Sequence, residues 1–293
     1  MPLELRSKNL MLSIDLPNEG YNSSRFDYTG KIAVVRFKNI LISGSERSSP
    51  ESKNQFGRGF YNEFGIDTAL GFEETPIGSW FHKIGIGLLL KEDNDYQSNK
   101  TYKIQPAAFL TKIESDSLKI ICKSEQINNY SYILIKTIKV YESSFRIDYQ
   151  LKNIGTKEII TDEYAHNFIS FDQELINSNY FLKFPFAFLP ESFDKTVNSE
   201  NKVQVGDKEF RFTEPPNNQF FFSNLSGGEK VEAAWELSNF KSKISLRETG
   251  SFATNKINLW GWKHVISPEL FHQISVKPGQ SAAWSRTYTL SEI

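Results

Sequence analysis

The stretch Phe145-Arg146-Ile147-Asp148-Tyr149-Gln150-Leu151 decides the fold class, because apolar and polar residues alternate in it without a break. Strict alternation is typical of a β-strand with one face in a core and the other in water. The neighbouring run from Tyr132 to Tyr141 is more continuously apolar at its start. This predicts a strand that is covered on both faces. Polar breaks at 128–129 and 142–144 predict hairpin turns between the strands.

Further strands are predicted on both sides of this stretch. They lie at 10–16, 32–37, 40–42, 231–237, 243–247, 257–265 and 281–290. Strands at roughly ten-residue spacing with few helical stretches favour an all-β fold of stacked antiparallel sheets. The polar segment 44–57 contains Pro50 and is predicted to be an exposed loop. Because there is no internal repeat or linker, residues 1–293 are predicted to form a single domain.

Composition argues against several classes of function. The chain has 34 basic and 35 acidic residues and a net charge of -1, so no global field attracts nucleic acid or an acidic membrane. We find no signal-peptide pattern and no apolar run long enough to span a membrane, so we expect a soluble, cytoplasmic protein. A cleaved leader would leave no trace. The only cysteine, Cys122, is predicted to be a small core residue.

A polar cluster follows the fold-deciding stretch, in Thr161-Asp162-Glu163-Tyr164-Ala165-His166-Asn167-Phe168. It places an imidazole, carboxylates, a phenol and an amide on a predicted strand. Imidazole has an ordinary pKa near neutrality, so His166 can give or take a proton with little tuning. Asn167 is a candidate contact for a substrate. The alternative interpretation is a core histidine that is hydrogen-bonded to the backbone.

A glycine-rich region ends in Trp80-Phe81-His82-Lys83-Ile84-Gly85-Ile86-Gly87-Leu88-Leu89-Leu90. If this segment is one strand, Lys83 shares a face with two glycines, which leaves room for a ligand, and His82 lies on the core face. Alternation therefore favours Lys83 over His82 as a substrate contact. A β-bulge would exchange the two, so both are candidates.

Several motifs together resemble the galactose mutarotase, or aldose 1-epimerase, superfamily. The resemblance is carried by Leu151-Lys152-Asn153-Ile154-Gly155, Tyr164-Ala165-His166-Asn167-Phe168, Ser267-Pro268-Glu269, Val276-Lys277-Pro278-Gly279-Gln280-Ser281, Trp284 and Tyr288. It implies a large antiparallel β-supersandwich that interconverts the α and β anomers of free sugars without a cofactor. It further implies that His166 acts as general acid and Glu269 as general base. Without the resemblance, Glu269 would be interpreted as an exposed carboxylate in a turn.

The chemistry of anomerisation explains why two such groups suffice. The anomeric hydroxyl loses a proton while the ring oxygen gains one, so the ring opens to an aldehyde. Bond rotation and reclosure then give the other anomer. Each positioned acid or base contributes roughly 10²–10⁴ in rate. Glu269 would need to be ionised and His166 protonated for part of the cycle, and mutual attraction between the two charges would favour both states. We expect the two groups to meet across a single pocket, close enough to straddle one pyranose.

Sugar binding needs flat apolar surface for the C–H face of the ring and polar groups for the hydroxyls. Trp262, or its neighbour Trp260, is a candidate platform, with core packing as the alternative. Arg58 resembles the Arg-Gly of the hexose-phosphate epimerase branch, and His82 lies near the position of the family's second active-site histidine. Glu63 is a further candidate, with a surface salt bridge as its alternative. The family's His-Gly-Gly element and its sugar-binding aspartate have no match here, so the substrate is left open.

Other chemistries are less well supported. His264 and His272 are eight positions apart and have no companions at metal-ligand spacing, so no metal site is predicted. There is no phosphate-binding loop and no serine nucleophile motif. The predicted partner is a monosaccharide or a simply modified sugar, bound by a monomer or homodimer. Two alternatives are a non-catalytic carbohydrate-binding protein on the same fold, and a polysaccharide lyase or hydrolase that uses Tyr164 and His166 for proton transfer.

Overall fold

A computed structural model describes residues 2–48 and 54–293, so part of the predicted loop 44–57, including Pro50, lies outside the described residues. The described residues form 23 β-strands and one short 3-10 turn at Pro190–Ser192, with no α-helix, which confirms the all-β class. In that part of the chain no helix is long and apolar enough to cross a membrane. The strands in chain order are β1 (Leu3–Arg6), β2 (Leu10–Asp15), β3 (Lys31–Phe37), β4 (Ile40–Leu41), β5 (Phe60–Phe64), β6 (Trp80–Lys83), β7 (Gly87–Leu90), β8 (Ile104–Pro106), β9 (Ala108–Ile113), β10 (Ser117–Lys123), β11 (Tyr132–Val140), β12 (Ser144–Asn153), β13 (Ile159–Asn167), β14 (Tyr180–Lys183), β15 (Lys195–Val197), β16 (Val203–Val205), β17 (Glu209–Phe212), β18 (Phe220–Ser223), β19 (Val231–Asn239), β20 (Ile244–Thr254), β21 (Ile257–Trp262), β22 (Val265–Val276) and β23 (Ser281–Glu292).

Two ten-stranded antiparallel sheets build the molecule. The front sheet has the order β1-β2-β3-β5-β13-β22-β21-β18-β15, with β4 paired to β3. The back sheet has the order β16-β17-β14-β19-β20-β23-β12-β11-β10-β9, and β6-β7-β8 form a small third sheet. This is the large antiparallel sandwich that the sequence predicts. The assignment of residues 1–293 to a single domain stays a prediction.

The alternation that decides the fold class is visible in the back sheet. In β12 the apolar residues of 145–151 are buried, and the polar residues between them are exposed or half-buried. The prediction that β11 is covered on both faces was wrong, because Ile133 and Ile135 lie on a half-buried outer face. Lys136 is instead buried between the sheets, where its Nζ donates to Asn62 Oδ1 at 2.6 Å.

The space between the two sheets combines an apolar core with a buried ionic network. Phe60 of β5 packs edge-on against Tyr288 of β23, with ring centroids 5.0 Å apart. Cys122 is fully buried in this core, as predicted. Arg286 of β23 forms ion pairs with Glu163 at 2.8 Å and Glu248 at 2.6 Å, and all three side chains are fully buried. Removal of one partner would leave an uncompensated buried charge, so the loss of any member of this network is expected to be strongly destabilising.

Residues 80–90 form a hairpin, so the condition under which alternation favours Lys83, a single continuous strand, does not hold. β6 and β7 pair with Lys83 opposite Gly87. Gly85 has a φ of 81° in the turn, and the Ile86 N–H donates to the Lys83 carbonyl at 3.1 Å. Glycine adopts this left-handed conformation without steric cost, so the chain reverses there. The open face over two glycines that alternation predicts therefore does not form.

The segment that contains Glu269 is a strand and not a turn. After β21 the chain continues as the twelve-residue strand β22, which occupies a central position in the front sheet. Glu269 is therefore a strand residue, and it is 4% exposed. The interpretation of Glu269 as an exposed turn carboxylate was wrong.

Candidate active site

The candidate site lies where two neighbouring strands of the front sheet separate. β13 and β22 pair in register up to Tyr164↔Phe271. Beyond the end of β13, Ile169 pairs with Ile266 of β22 in an isolated bridge. Between these two points no ladder pair forms within the described residues. Pro268 lies in this gap and has no N–H to donate, so one ladder hydrogen bond cannot form there. The same register places His166 directly opposite Glu269.

The side chain of Asn167 bridges the gap on the inner side of the sheet. Its Nδ2 donates to the Pro268 carbonyl at 2.8 Å and to Glu248 Oε2 at 2.9 Å. Its Oδ1 accepts a hydrogen bond from the Tyr288 hydroxyl at 3.0 Å. The predicted substrate contact Asn167 thus lies between the sheets, on the face opposite His166, where it joins the strands that carry the pair.

On the outer face, His166 and Glu269 are in contact. His166 Nε2 lies 3.4 Å from Glu269 Oε1, and each residue is 4% exposed. The Ser267 hydroxyl lies 2.9 Å from His166 Nδ1 and donates to Glu269 Oε1 at 3.4 Å. Because this hydroxyl donates its proton to the carboxyl group, it accepts from Nδ1–H. This arrangement leaves the Nε2 lone pair of a neutral imidazole facing Glu269.

Burial determines where the proton of the pair lies. Burial raises the pKa of Glu269 to about 8. Burial, together with the positive charge of Arg25, lowers the pKa of His166 well below its ordinary value. Near pH 7 the carboxyl group is therefore protonated and the imidazole neutral. Desolvation penalises both charges of the pair, so in the empty site it opposes the charge-separated state that mutual attraction favours.

A cavity of about 300 Å³ opens over the pair. Its lining consists of Arg25, Glu46, Arg47, Ile66, Asn99, Tyr164, His166, Gln219, Phe221, Asn258, Trp260 and Glu269. Phe168 stacks on the His166 ring with centroids 4.0 Å apart, and Trp260 approaches edge-on at 5.2 Å. Trp262 lies outside this lining, and its Nε1 donates to the Asn217 carbonyl at 2.6 Å. Of the two predicted platforms, the structure places Trp260 at the pair.

An ion-paired cluster supports the cavity beside the pair. Arg25 Nε donates to Glu63 Oε2 at 2.9 Å, and Arg25 Nη2 donates to the Tyr164 hydroxyl at 3.0 Å. The Tyr164 hydroxyl donates to Glu63 Oε2 at 2.7 Å, and Lys83 Nζ lies 3.1 Å from Glu63 Oε1. Burial opposes ionisation of Glu63, but Lys83 and Arg25 lower its pKa. Arg25 and Tyr164 reach the cavity, while the predicted contacts Glu63 and Lys83 lie behind them.

The other two predicted contacts lie away from this cavity. Arg58 forms an ion pair with Asp15, and its Nε donates to the Tyr61 hydroxyl at 3.2 Å. His82 is fully buried, and its ring packs edge-on against Tyr132 with centroids 5.9 Å apart. The structure thus brings His166 and Glu269 together, and it separates both from Arg58 and His82.

Sequence reasoning missed three residues of the site. Ser267 lies two positions before Glu269 on the same face of β22, so strand alternation was an available signal. Asn258 is the register partner of Glu269 on β21 and required knowledge of the strand pairing. Arg25 comes from the connection between β2 and β3, and no local pattern marks it. In residues 2–48 and 54–293 no group of three or more His, Cys, Asp or Glu side chains is placed to hold a metal ion.

The geometry suits proton transfer to two neighbouring oxygens of one ligand. His166 and Glu269 meet in a single cavity, as expected, and within it they lie side by side in contact rather than facing each other across it. The anomeric hydroxyl and the ring oxygen of a pyranose are bonded to the same carbon. Two groups on one side of the ring can therefore address both oxygens.

Comparison with known proteins shows similarity in fold. No family profile matches the sequence, and no curated protein matches it. A solved structure from Synechocystis sp. PCC 6803 is similar with a TM-score of 0.66 and 11% identity, covering 100% of this chain and 96% of the other. A galactose mutarotase-like protein from Lactobacillus casei has a TM-score of 0.62 and 9% sequence identity, and the match covers 99% of this chain and 100% of the other. An aldose epimerase homologue from C. elegans has a TM-score of 0.51 and 12% sequence identity, and the match covers 100% of this chain and 99% of the other. The predicted galactose mutarotase-like fold is thereby confirmed.

Proposed function

We propose that this protein is an aldose 1-epimerase-like isomerase that interconverts sugar anomers by acid–base catalysis. The contact between His166 and Glu269 in one cavity supports the proposal most directly. These residues are far apart in the sequence, and they are the two to which the resemblance assigns the chemistry. The galactose mutarotase-like fold is consistent with this assignment. A location in the cytoplasm, a monomeric or homodimeric state and the absence of nucleic-acid or membrane partners stay predictions.

In the proposed mechanism the two groups share one proton. In the empty site the carboxyl group of Glu269 holds it, and transfer across the 3.4 Å contact gives imidazolium and carboxylate. In that second state Glu269 takes the proton of the anomeric hydroxyl while His166 protonates the ring oxygen. Ring closure reverses both transfers, so each group acts once as acid and once as base. Ser267 holds the imidazole in the tautomer that this exchange needs.

The walls of the cavity provide what a sugar ring needs besides the pair. Trp260 offers an apolar surface for the C–H face of a ring. Arg25, Asn99 and Gln219 offer hydrogen-bond donors for hydroxyl groups, and Gln219 and Asn99 also offer acceptors. A neutral sugar therefore fits this lining, and we propose a monosaccharide or simply modified sugar as the reacting unit.

The test is anomer exchange measured by NMR with a panel of free aldoses. We expect His166→Ala and Glu269→Ala each to lower kcat by roughly 10²–10⁴. His272→Phe is the matched control, because His272 lies on the same strand as Glu269 but packs against Phe252 and Trp284. Retention of full activity by both alanine variants would exclude the mechanism. Saturable sugar binding without exchange would select the non-catalytic alternative, and product release from an oligosaccharide would select a lyase or hydrolase.

A further inference from the structure

A second cavity continues from the candidate site along the outer face of the front sheet. This side cavity has a volume of about 700 Å³ and shares Ile66, Phe221 and Asn258 with the site cavity. A third cavity of about 380 Å³ lies in another direction and shares one described residue, Arg47, with the site. The side cavity is therefore the main extension of the site.

An apolar surface crosses the boundary between the site and the side cavity. Phe221 of β18 and Trp260 of β21 are register partners, so their side chains are neighbours on the outer face. Both line the site cavity, and Phe221 also lines the side cavity. Phe221 is half-buried, so part of its ring is available to a ligand. Two adjacent aromatic side chains of this kind can support two successive sugar rings.

The polar groups of the side cavity suit hydroxyl groups better than an anion. Its lining includes the amides Asn224, Asn255, Asn258 and Gln273. Amide side chains both donate and accept hydrogen bonds, as sugar hydroxyls require. The cation of the side cavity, Lys256, is already paired with Asp67 at 2.6 Å and lies 3.7 Å from Asp162. Since two carboxylates face this ammonium group, it does not form a free anion site.

We infer that the substrate is the reducing end of an oligosaccharide. The reacting ring lies over His166 and Glu269, and the next sugar unit lies in the side cavity on Phe221. This inference rests on the proposed function and names its substrate class. Anomerisation occurs only at the reducing end, so the rest of the sugar chain leaves the site in one direction. One continuous extension of the site is the geometry that such a substrate needs.

The experiment compares anomer exchange of monosaccharides with that of their reducing disaccharides, such as glucose with maltose and cellobiose, and galactose with β-1,4-galactobiose. We expect at least one of these disaccharides to have a kcat/KM about tenfold or more above that of its own monosaccharide. Gln273 is exposed in the side cavity, so Gln273→Ala should lower the disaccharide value about three- to tenfold, the effect of one lost hydrogen bond, and leave the monosaccharide value unchanged.

A matched control lies in the third cavity. Gln173 lines that cavity with a φ of 58°, which asparagine tolerates, so Gln173→Asn should change neither value. Equal kcat/KM for both classes of sugar, with no effect of Gln273→Ala, overturns the inference and leaves the proposed function intact. If no sugar shows accelerated exchange, the proposed function fails. Calorimetric titration with the same sugars then tests separately whether the site and the side cavity bind a disaccharide. Tighter binding of a disaccharide that Gln273→Ala weakens supports the inference, and equal or undetectable binding overturns it.

Discussion

Replacing Ser267 by alanine tests how the proton is held at the candidate site. The Ser267 side chain is fully buried, its hydroxyl lies 2.9 Å from His166 Nδ1, and in the tautomer inferred for the candidate site it accepts the Nδ1–H. The variant leaves this N–H buried without a partner, which costs about 1–3 kcal/mol. The second contact, to Glu269, is long at 3.4 Å and adds little. We therefore expect the free energy of unfolding to fall by about 1–3 kcal/mol.

The same change should affect catalysis through the tautomer of His166. Without the serine oxygen, the neutral imidazole is free to carry its proton on Nε2. That tautomer cannot accept a proton from Glu269. We expect kcat for anomer exchange to fall about 10- to 100-fold, since each factor of ten corresponds to about 1.4 kcal/mol of barrier. The KM should change little, because Ser267 is not part of the cavity lining.

Three measurements check this prediction: urea unfolding, anomer-exchange kinetics and ¹⁵N NMR of labelled histidine. Ser245→Ala is the control, because the buried Ser245 hydroxyl contacts Ser291 Oγ at 2.8 Å in the back sheet. It should lower stability and leave kcat unchanged. A Ser267→Ala protein that keeps the proton on Nδ1 of His166 and exchanges anomers at the full rate would refute the reasoning.

Three further predictions concern the pair and the buried polar groups. Since burial raises the pKa of Glu269 to about 8, activity should be constant just below that pH and fall above it as the pair loses its shared proton; a carboxyl NMR titration with a midpoint near 4.5 would contradict this. Asn167→Leu removes the side-chain donor to the Pro268 carbonyl and the acceptor of the Tyr288 hydroxyl, while Glu248 Oε2 keeps the hydrogen bond from Trp235 Nε1, so urea unfolding should show a loss of about 2–4 kcal/mol, and a loss below about 0.5 would argue against the bridging role. Neither ring nitrogen of His82 makes a hydrogen bond of normal geometry within the described residues, although nearby backbone groups partly offset the effect of burial, which lowers its pKa. As the pH falls below about 6.5, the unfolded chain therefore takes up a proton at His82 and the folded chain does not, so the folded state loses stability in that pH range. His82→Phe should raise the melting temperature more at about pH 5.5 than at about pH 7.5. An equal rise at both pH values would disprove the claim that His82 stays neutral in the folded protein.

Local periodicity predicted the strands well where one face meets the core and the other meets solvent. The alternation at 145–151 identified β12, and the turn residues at 128–129 marked the hairpin before β11, where both asparagines have positive φ. The same reasoning failed at 80–90, because a glycine that reverses the chain looks identical in sequence to a glycine inside a strand. Only the backbone angle of Gly85 distinguishes the two cases.

The candidate site was predictable only in part, because its residues meet through strand pairing. His166 and Glu269 were identified from short motifs that resemble a known family. Their contact depends on the register of β13 against β22, which no local pattern specifies. Arg25 reaches the site from a connection far away in the sequence, and its position depends on buried Glu63.

The positions of the last two strands have a consequence for synthesis of the protein. β22 lies between β13 and β21, and β23 lies between β20 and β12, so both occupy the interior of a sheet. While these residues are still inside the ribosome, each sheet exists as two separate parts with unpaired edges. We expect the nascent chain to depend on chaperones until residue 292 emerges, and to acquire its ligand-binding site only afterwards.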